Sequence, residues 1–249
     1  MMQSLYNYIL LPWLILALIS FFLLLKINAP YGKFYSKGWG MLFEYKLGWF
    51  IQEIVSPITF SYFFIIGVGE KNIVSCILFV MWVAHYINRS IIFPLRLKTT
   101  SKIPLSVIIS AIFFNLINGF INGYYIGNIA YFGNNYFYTI NFILGIIIFV
   151  IGMCINLSAD NIIIKIKSKT NNYEIPHGFV YKYISCPNYF GEILEWCGFA
   201  LITWSIPGLL FAIWTIANLV PRSIANHNWY KSKFSDYPLN RKAIIPFII

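Results

Sequence analysis

The chain has 249 residues, of which 59% are hydrophobic, 20% aromatic and only 10% charged, with a formal net charge of +10. A soluble domain carries about 25% charged residues, and a mean hydropathy of +0.70 leaves too little polar surface to cover a soluble body of this size. An ordinary soluble enzyme is excluded, and the positive charge is read against a membrane surface rather than nucleic acid.

The apolar runs predict an all-α, polytopic membrane protein with one membrane-embedded domain, 1–249. Seven spans are expected at roughly 5–26, 47–68, 72–94, 103–125, 138–160, 188–205 and 206–230. The first run lacks a basic leader and a small-residue cleavage site, so it reads as a retained helix. Only "SIPG" separates the sixth and seventh spans, which is a tight-turn signal. Cys76, Cys154, Cys186 and Cys197 show no CxxC spacing and read as small buried hydrophobes, without a metal site or a disulfide framework.

Charge orients this arrangement. Sixteen of the eighteen lysines and arginines fall in the loops after spans 1, 3 and 5 and in the C-terminal tail. The positive-inside rule therefore predicts an outside N-terminus and a cytoplasmic C-terminus. Lys71 lies opposite, and Arg89 sits within span 3.

Polar side chains recur at helical spacing inside the spans, where they must face protein or a wet cavity. Span 2 carries Gln52 and Glu53. Span 3 carries His85, Tyr86, Asn88 and Arg89, with Arg89 four residues from His85. Span 4 carries Asn115, Asn118 and Asn122. Span 5 ends in a stripe of Asn156, Asp160 and Lys167. Span 6 opens on Asn188, Glu192 and Glu195, and span 7 carries Arg222, Asn226 and Tyr230. A stripe of asparagines alone reads as interhelical glue. Carboxylates cost about 2.5–3.5 kcal/mol each at depth and ask for a use. Most stripes lie toward the basic side, which suggests one polar cavity opening inward.

No GxGxxG, P-loop or HExxH motif is present, so neither a soluble-type nucleotide fold nor a zinc site is expected. Carboxylates, amides and tyrosines behind a basic rim suit an anionic cofactor with ribose and carboxamide groups. The aromatic-rich deep part suits an apolar substrate.

The stretches "NYFGEILEWCGFALITWS" and "HNWYKSKFSDYPLNRKAIIPFII", with "WFIQE", "AHYINRSIIFP", "NGYY" and "GMCINLSAD" ahead of them, resemble the steroid 5α-reductase family, the 3-oxo-5α-steroid 4-dehydrogenases. The resemblance runs from about residue 47 to the end. It implies NADPH-dependent reduction of the carbon–carbon double bond of a 3-oxo-Δ4 steroid or sterol-like lipid. It implies Tyr86, assisted by Glu53, on the substrate's 3-oxo group, with Trp49, Gln52 and Phe114 at the substrate slot. For NADPH it implies Asn156, Asp160, Lys167, Tyr173, Asn188, Glu192, Arg222, Asn226 and Tyr230, held among helices and cytoplasmic loops. Glu195 matches a further acidic position. Three positions depart from the pattern. Ile164 stands where mammalian members have arginine, Asn226 where histidine is common, and Ser110 near a position that is arginine in some members. The motif around Glu192 is shared with isoprenylcysteine methyltransferases and other membrane lipid reductases, so the alternatives are a membrane methyltransferase using S-adenosylmethionine or another membrane lipid enoyl reductase.

Overall fold

The computed structural model describes residues 2–170 and 172–249. Among them, six helices are long and apolar enough to cross a membrane: Met2–Lys26, Tyr45–Ile66, Ile73–Arg96, Leu105–Ile129, Ile140–Lys169 and Ile206–Lys233. We label α1 as Met2–Lys26, α2 as Tyr45–Ile66, α3 as Ile73–Ile87, α4 as Phe93–Arg96, α5 as Leu105–Tyr124, α6 as Ile140–Lys169, α7 as Pro187–Thr203 and α8 as Ile206–Lys233. The chain forms two compact units: residues up to Leu10 with Ala29–Ile143, and Leu11–Asn28 with Leu144–Ile249.

The sixth expected span becomes α7, only 17 residues long. At 1.5 Å per residue it sits at the short end of the roughly 17–25 residues that cross a hydrocarbon core. The "SIPG" turn is where expected. Trp204 ends α7 in the left-handed region at φ 43°. Ser205 then caps α8 by accepting the Gly208 N–H at 3.2 Å, with Pro207 in the first helical turn. By contrast, α6 continues nine residues past its expected end, to Lys169. The lower part of its polar stripe, including Lys167, is therefore helical.

In the first unit, three-residue strands β1 (Leu42–Glu44) and β2 (Lys102–Pro104) pair antiparallel, with Phe43 opposite Ile103. This clasp joins segments sixty residues apart. Ile103 packs with Trp49 and Ile108 in one apolar cluster at the start of α2. A Cβ at Gly48 would strike the Ile103 and Ile108 side chains. The clasp thus fixes the α2 turn that carries the substrate-end residues of the sequence reading.

The α2 helix meets α5 at backbone contact at Gly119 and Gly123, and meets the π turn that follows α5, Tyr125–Ile129, at Gly127. Four-residue spacing puts Gly119 and Gly123 on one ridge of α5, and small residues let apolar helices meet where no hydrophobic force drives them together. A Cβ at Gly123 would sit 2.5 Å from the Phe60 carbonyl oxygen. Gly123→Val should therefore cost about 1–3 kcal/mol or more, since the obstacle is backbone. Thermal unfolding of detergent-solubilised protein checks this. Gly133→Ala is the control, because its Cβ would meet nothing closer than 3.9 Å. Equal melting temperatures for the two variants would refute it.

The second unit uses the same device. Gly152 and Gly191 face one another across α6 and α7, with a Cβ at either meeting the other's carbonyl oxygen at 2.5 Å. Cys76 and Cys154 correct the sequence reading: both are exposed on their helices, whereas Cys186 is buried and Cys197 intermediate. A thiol on the apolar outer face of a membrane helix is as well placed as one in the core.

Candidate functional site

The substrate-end residues of the sequence reading gather within the first unit. On α2, Trp49 and Gln52 are buried and Glu53 is half-buried. Gln52 Nε2 donates to Glu53 Oε1 at 3.0 Å. Across from them, Asn115 Nδ2 on α5 donates to the Gln52 carbonyl oxygen at 2.7 Å. That bond gives one member of the span 4 asparagine stripe its use. Asn118 and Asn122 are buried beside it, with Asn122 Nδ2 donating to the Asn118 carbonyl oxygen at 3.1 Å. Phe114, on α5, is half-buried.

On α3, which packs against α2, His85 and Tyr86 are both buried. Their rings meet edge to face at 5.2 Å, and Trp82 lies 5.5 Å from the Tyr86 ring. Immediately after Tyr86 and Ile87 the helix widens into a π turn, Asn88–Ile92. Ser90 Oγ donates back to the Tyr86 carbonyl oxygen at 2.6 Å and helps hold the turn. The π turn interrupts the regular spacing that puts His85 and Arg89 on one face. The Arg89 guanidinium lies 5.4 Å from the Trp49 ring and 5.1 Å from the Phe93 ring. Trp49 Nε1 donates to the Arg89 carbonyl oxygen at 3.1 Å. Periodicity alone shows no π turn, but such turns concentrate at functional sites.

The residues that the sequence reading gives to the cofactor gather within the second unit. Asn156 Nδ2 donates to the Asn188 carbonyl oxygen at 3.0 Å, and Asn188 Nδ2 donates to Asp160 Oδ1 at 3.1 Å. Three sequence-predicted residues thus form one chain of hydrogen bonds between α6 and the first turn of α7. Asp160 is buried, and the Asn188 amide compensates part of that cost. Burial, then the Asp160 carboxylate, holds the Tyr181 phenol well above its usual pKa, so it stays a neutral donor to the Ala159 carbonyl oxygen at 3.4 Å.

Arg222 Nε on α8 donates to Tyr189 Oη at 3.2 Å. Lys167 Nζ lies 3.7 Å above the Tyr173 ring, which meets Trp229 edge to face at 5.2 Å. Burial raises the Tyr173 phenol, and Arg222 partly offsets it. Tyr230 stacks on Tyr237 at 5.6 Å. Asn226 Nδ2 makes only a long, 3.6 Å contact with Cys186 Sγ. The two glutamates of α7 part company: Glu192 is half-buried, whereas Glu195 is buried at the α6 contact, where its own N–H is 2.6 Å from a Cβ built at Gly152.

In the sequence Arg241 stands among the basic residues of the tail and opens the family-like ending, with no role of its own. The structure buries it, 4% exposed. A parallel bridge pairs Ile184 with Lys242, and Lys242 N–H donates to the Tyr183 carbonyl oxygen at 2.9 Å. The tail is thereby sewn to the segment that enters α7. Ser185 Oγ tightens the join, lying 2.7 Å from His227 Nδ1 and 2.6 Å from Tyr237 Oη. Arg241 reaches His177 Nδ1 at 3.4 Å through Nη2 and lies 5.2 Å from the Tyr237 ring, where it partly offsets the rise that burial gives the Tyr237 phenol, while its Nε and Nη1 make no hydrogen bond. Buried guanidinium donors without an acceptor call for an anion. The signal available in sequence was the "RKAIIPF" ending.

Among the described residues, no three His, Cys, Asp or Glu side chains are placed to hold a metal ion. A scaffold with six helices long and apolar enough to cross a membrane thus carries a tyrosine and a carboxylate in one unit, and a polar chain with a buried cation in the other. The comparisons carry this to a family. The family described as "3-oxo-5-alpha-steroid 4-dehydrogenase" matches residues 101–249. The chain is 38% identical over 251 residues to the steroid 5-alpha-reductase DET2 of Solanum lycopersicum, covering 99% of this chain and 98% of that one. It is 40% identical over 255 residues to the Gossypium hirsutum protein of the same name, covering 99% and 98%. To the 3-oxo-5-alpha-steroid 4-dehydrogenase 1 of Rattus norvegicus it is 34% identical over 238 residues, covering 94% and 92%. The chain belongs to the steroid 5α-reductase family of oxidoreductases.

Proposed function

We propose that the chain is an integral membrane reductase that uses NADPH to reduce the carbon–carbon double bond of a 3-oxo-Δ4 steroid or related lipid enone. The whole chain, 1–249, serves as one membrane-embedded reductase domain. Its seven spans include α7, with the N-terminus outside and the cofactor residues toward the cytoplasm; a monomer suffices. The observation that carries the reading is the near full-length similarity to proteins named for this activity in plants and mammals.

The second unit fits an anionic dinucleotide on its own chemistry. Arg241 offers two unused buried donors, and Lys167 and Arg222 add positive charge for phosphates. Asn156, Asp160, Asn188 and Glu192 supply the amides and carboxylates that recognise ribose hydroxyls and a carboxamide, with Tyr173, Asn226 and Tyr230 beside them. When bound, NADPH supplies hydride to the substrate's β carbon. Tyr86 donates a hydrogen bond from its phenol to the 3-oxo group and keeps its proton, and Glu53 holds that phenol in place. As the double bond is lost, negative charge grows on the oxygen, and a donor already aimed there stabilises it without reorganisation. A proton from water completes the α carbon. Trp49, Gln52 and Phe114 hold the substrate against these groups.

The test is purified protein with a panel of 3-oxo-Δ4 steroids and unsaturated acyl enones, with NADPH or NADH. Loss of absorbance at 340 nm, dependent on the enone, is expected. Transfer of a labelled methyl group from S-adenosylmethionine, with no loss at 340 nm, would replace this reading with the methyltransferase one.

A further inference from the structure

The α2 helix carries an unused donor and an unused acceptor one turn apart. Gln52 commits its carboxamide nitrogen to Glu53 Oε1. The reverse orientation would set two oxygens against each other, so the amide is fixed with Oε1 away from the carboxylate. Gln52 Oε1 is buried and has no donor. Four residues on, on the same face of α2, the Ser56 hydroxyl is also buried and also has no partner.

A helical serine normally returns its hydroxyl to a carbonyl three or four residues back. Ser90 does so to Tyr86, Ser110 to Ser106, and Ser223 to Val220. For Ser56 the carbonyl four residues back is that of Gln52. That oxygen already accepts the Asn115 amide at 2.7 Å, besides the helix's own N–H from Ser56. Its two lone pairs are taken, which closes the four-back acceptor to the hydroxyl. Ser56 is fully buried, at 0% exposed, and Gln52 is 4% exposed. Bulk water does not reach them. Leaving both groups unmade is costly, and buried waters characteristically bridge such pairs.

We propose that Ser56 Oγ and Gln52 Oε1 hold a buried water that accepts from the serine hydroxyl and donates to the amide oxygen. Ser56 thereby acts as a positioning residue for Glu53, through the water and the Gln52 carboxamide. With Oε1 occupied, the amide cannot rotate away, and its N–H stays on the carboxylate that steadies Tyr86. The kinetic part rests on the role proposed above for Glu53; the water site does not.

Two measurements test it. In an experimental structure that resolves ordered water, density is expected between Gln52 and Ser56 in the native protein and not in Ser56→Ala. No density, or a direct Ser56–Gln52 bond, overturns the site even if the enzyme is inactive on every enone offered. In kinetics, Ser56→Ala should lower kcat about tenfold, the worth of one ordering hydrogen bond, with the KM for NADPH unchanged. Ser56→Thr, which keeps a hydroxyl, should recover most of that loss. An unchanged kcat in Ser56→Ala, or an equal loss in Ser56→Thr, overturns the positioning role. A native protein that reduces no enone but shows the water overturns the proposed reaction and leaves the site standing.

Discussion

Tyr86→Phe is expected to lower kcat by about 10²–10³-fold, the usual loss when one donor to a developing oxyanion is removed. The substitution deletes a single oxygen. The ring contacts with Trp82 at 5.5 Å and His85 at 5.2 Å survive, so the fold and the α3 packing should be unchanged. The affinity for NADPH should also be unchanged, because none of the residues assigned to it is altered. Glu53→Gln should fall in the same direction and spare the cofactor. It also turns an acceptor into a group that can present N–H to the Gln52 amide, so its effect mixes lost charge with a disturbed hydrogen bond. Steady-state kinetics in both substrates separate these outcomes. Near-native turnover in both variants would remove the tyrosine–carboxylate chemistry from the proposal. Loss of NADPH binding in either would mean that the damage is structural.

Much of this arrangement was legible because membrane helices announce themselves. Apolar runs of span length leave few alternatives, and the six long helices lie within a few residues of their expected positions at most ends. Features that depend on partners far away in sequence were not legible. Residues 42–44 and 102–104 are each too short to signal a strand, and only their pairing across the α2 and α5 starts creates one. The π turn after Tyr86 leaves no mark in hydropathy, since the same residues fit an α-helix.

The site divides in the same way. Asn156, Asp160 and Asn188 were found because spacing on a helix reports which residues share a face, and the structure joins those three by hydrogen bonds. Spacing could not separate Glu192 from Glu195. Both lie on the stripe that starts at Asn188, and only the close passage of Gly152 decides which one the α6 contact buries. Ser56 was invisible for a similar reason. A serine in a helix is unremarkable until a neighbouring asparagine occupies the carbonyl it would use.

Arg241→Met should produce two effects of opposite sign. A guanidinium buried to 4% exposure with Nε and Nη1 unused is a cost to the protein alone. Methionine has similar reach and no charge. Replacing poorly compensated buried charge by an apolar side chain is commonly neutral or stabilising. The melting temperature without cofactor should therefore hold or rise, and the tail should stay joined through the backbone bonds at Ser185 and Lys242. Cofactor affinity should move the other way. Charge-assisted hydrogen bonds contribute about 1.5–3 kcal/mol each, so losing those to a phosphate should raise the KM for NADPH at least tenfold. The stabilisation that NADPH confers on melting should shrink with it, since that shift follows the ratio of cofactor concentration to Kd. Arg241→Lys should recover little, because an ammonium cannot present the planar pair of donors. A variant that loses stability with and without NADPH by the same amount would mark Arg241 as a support for the tail. An unchanged KM would leave its two donors facing something other than the cofactor.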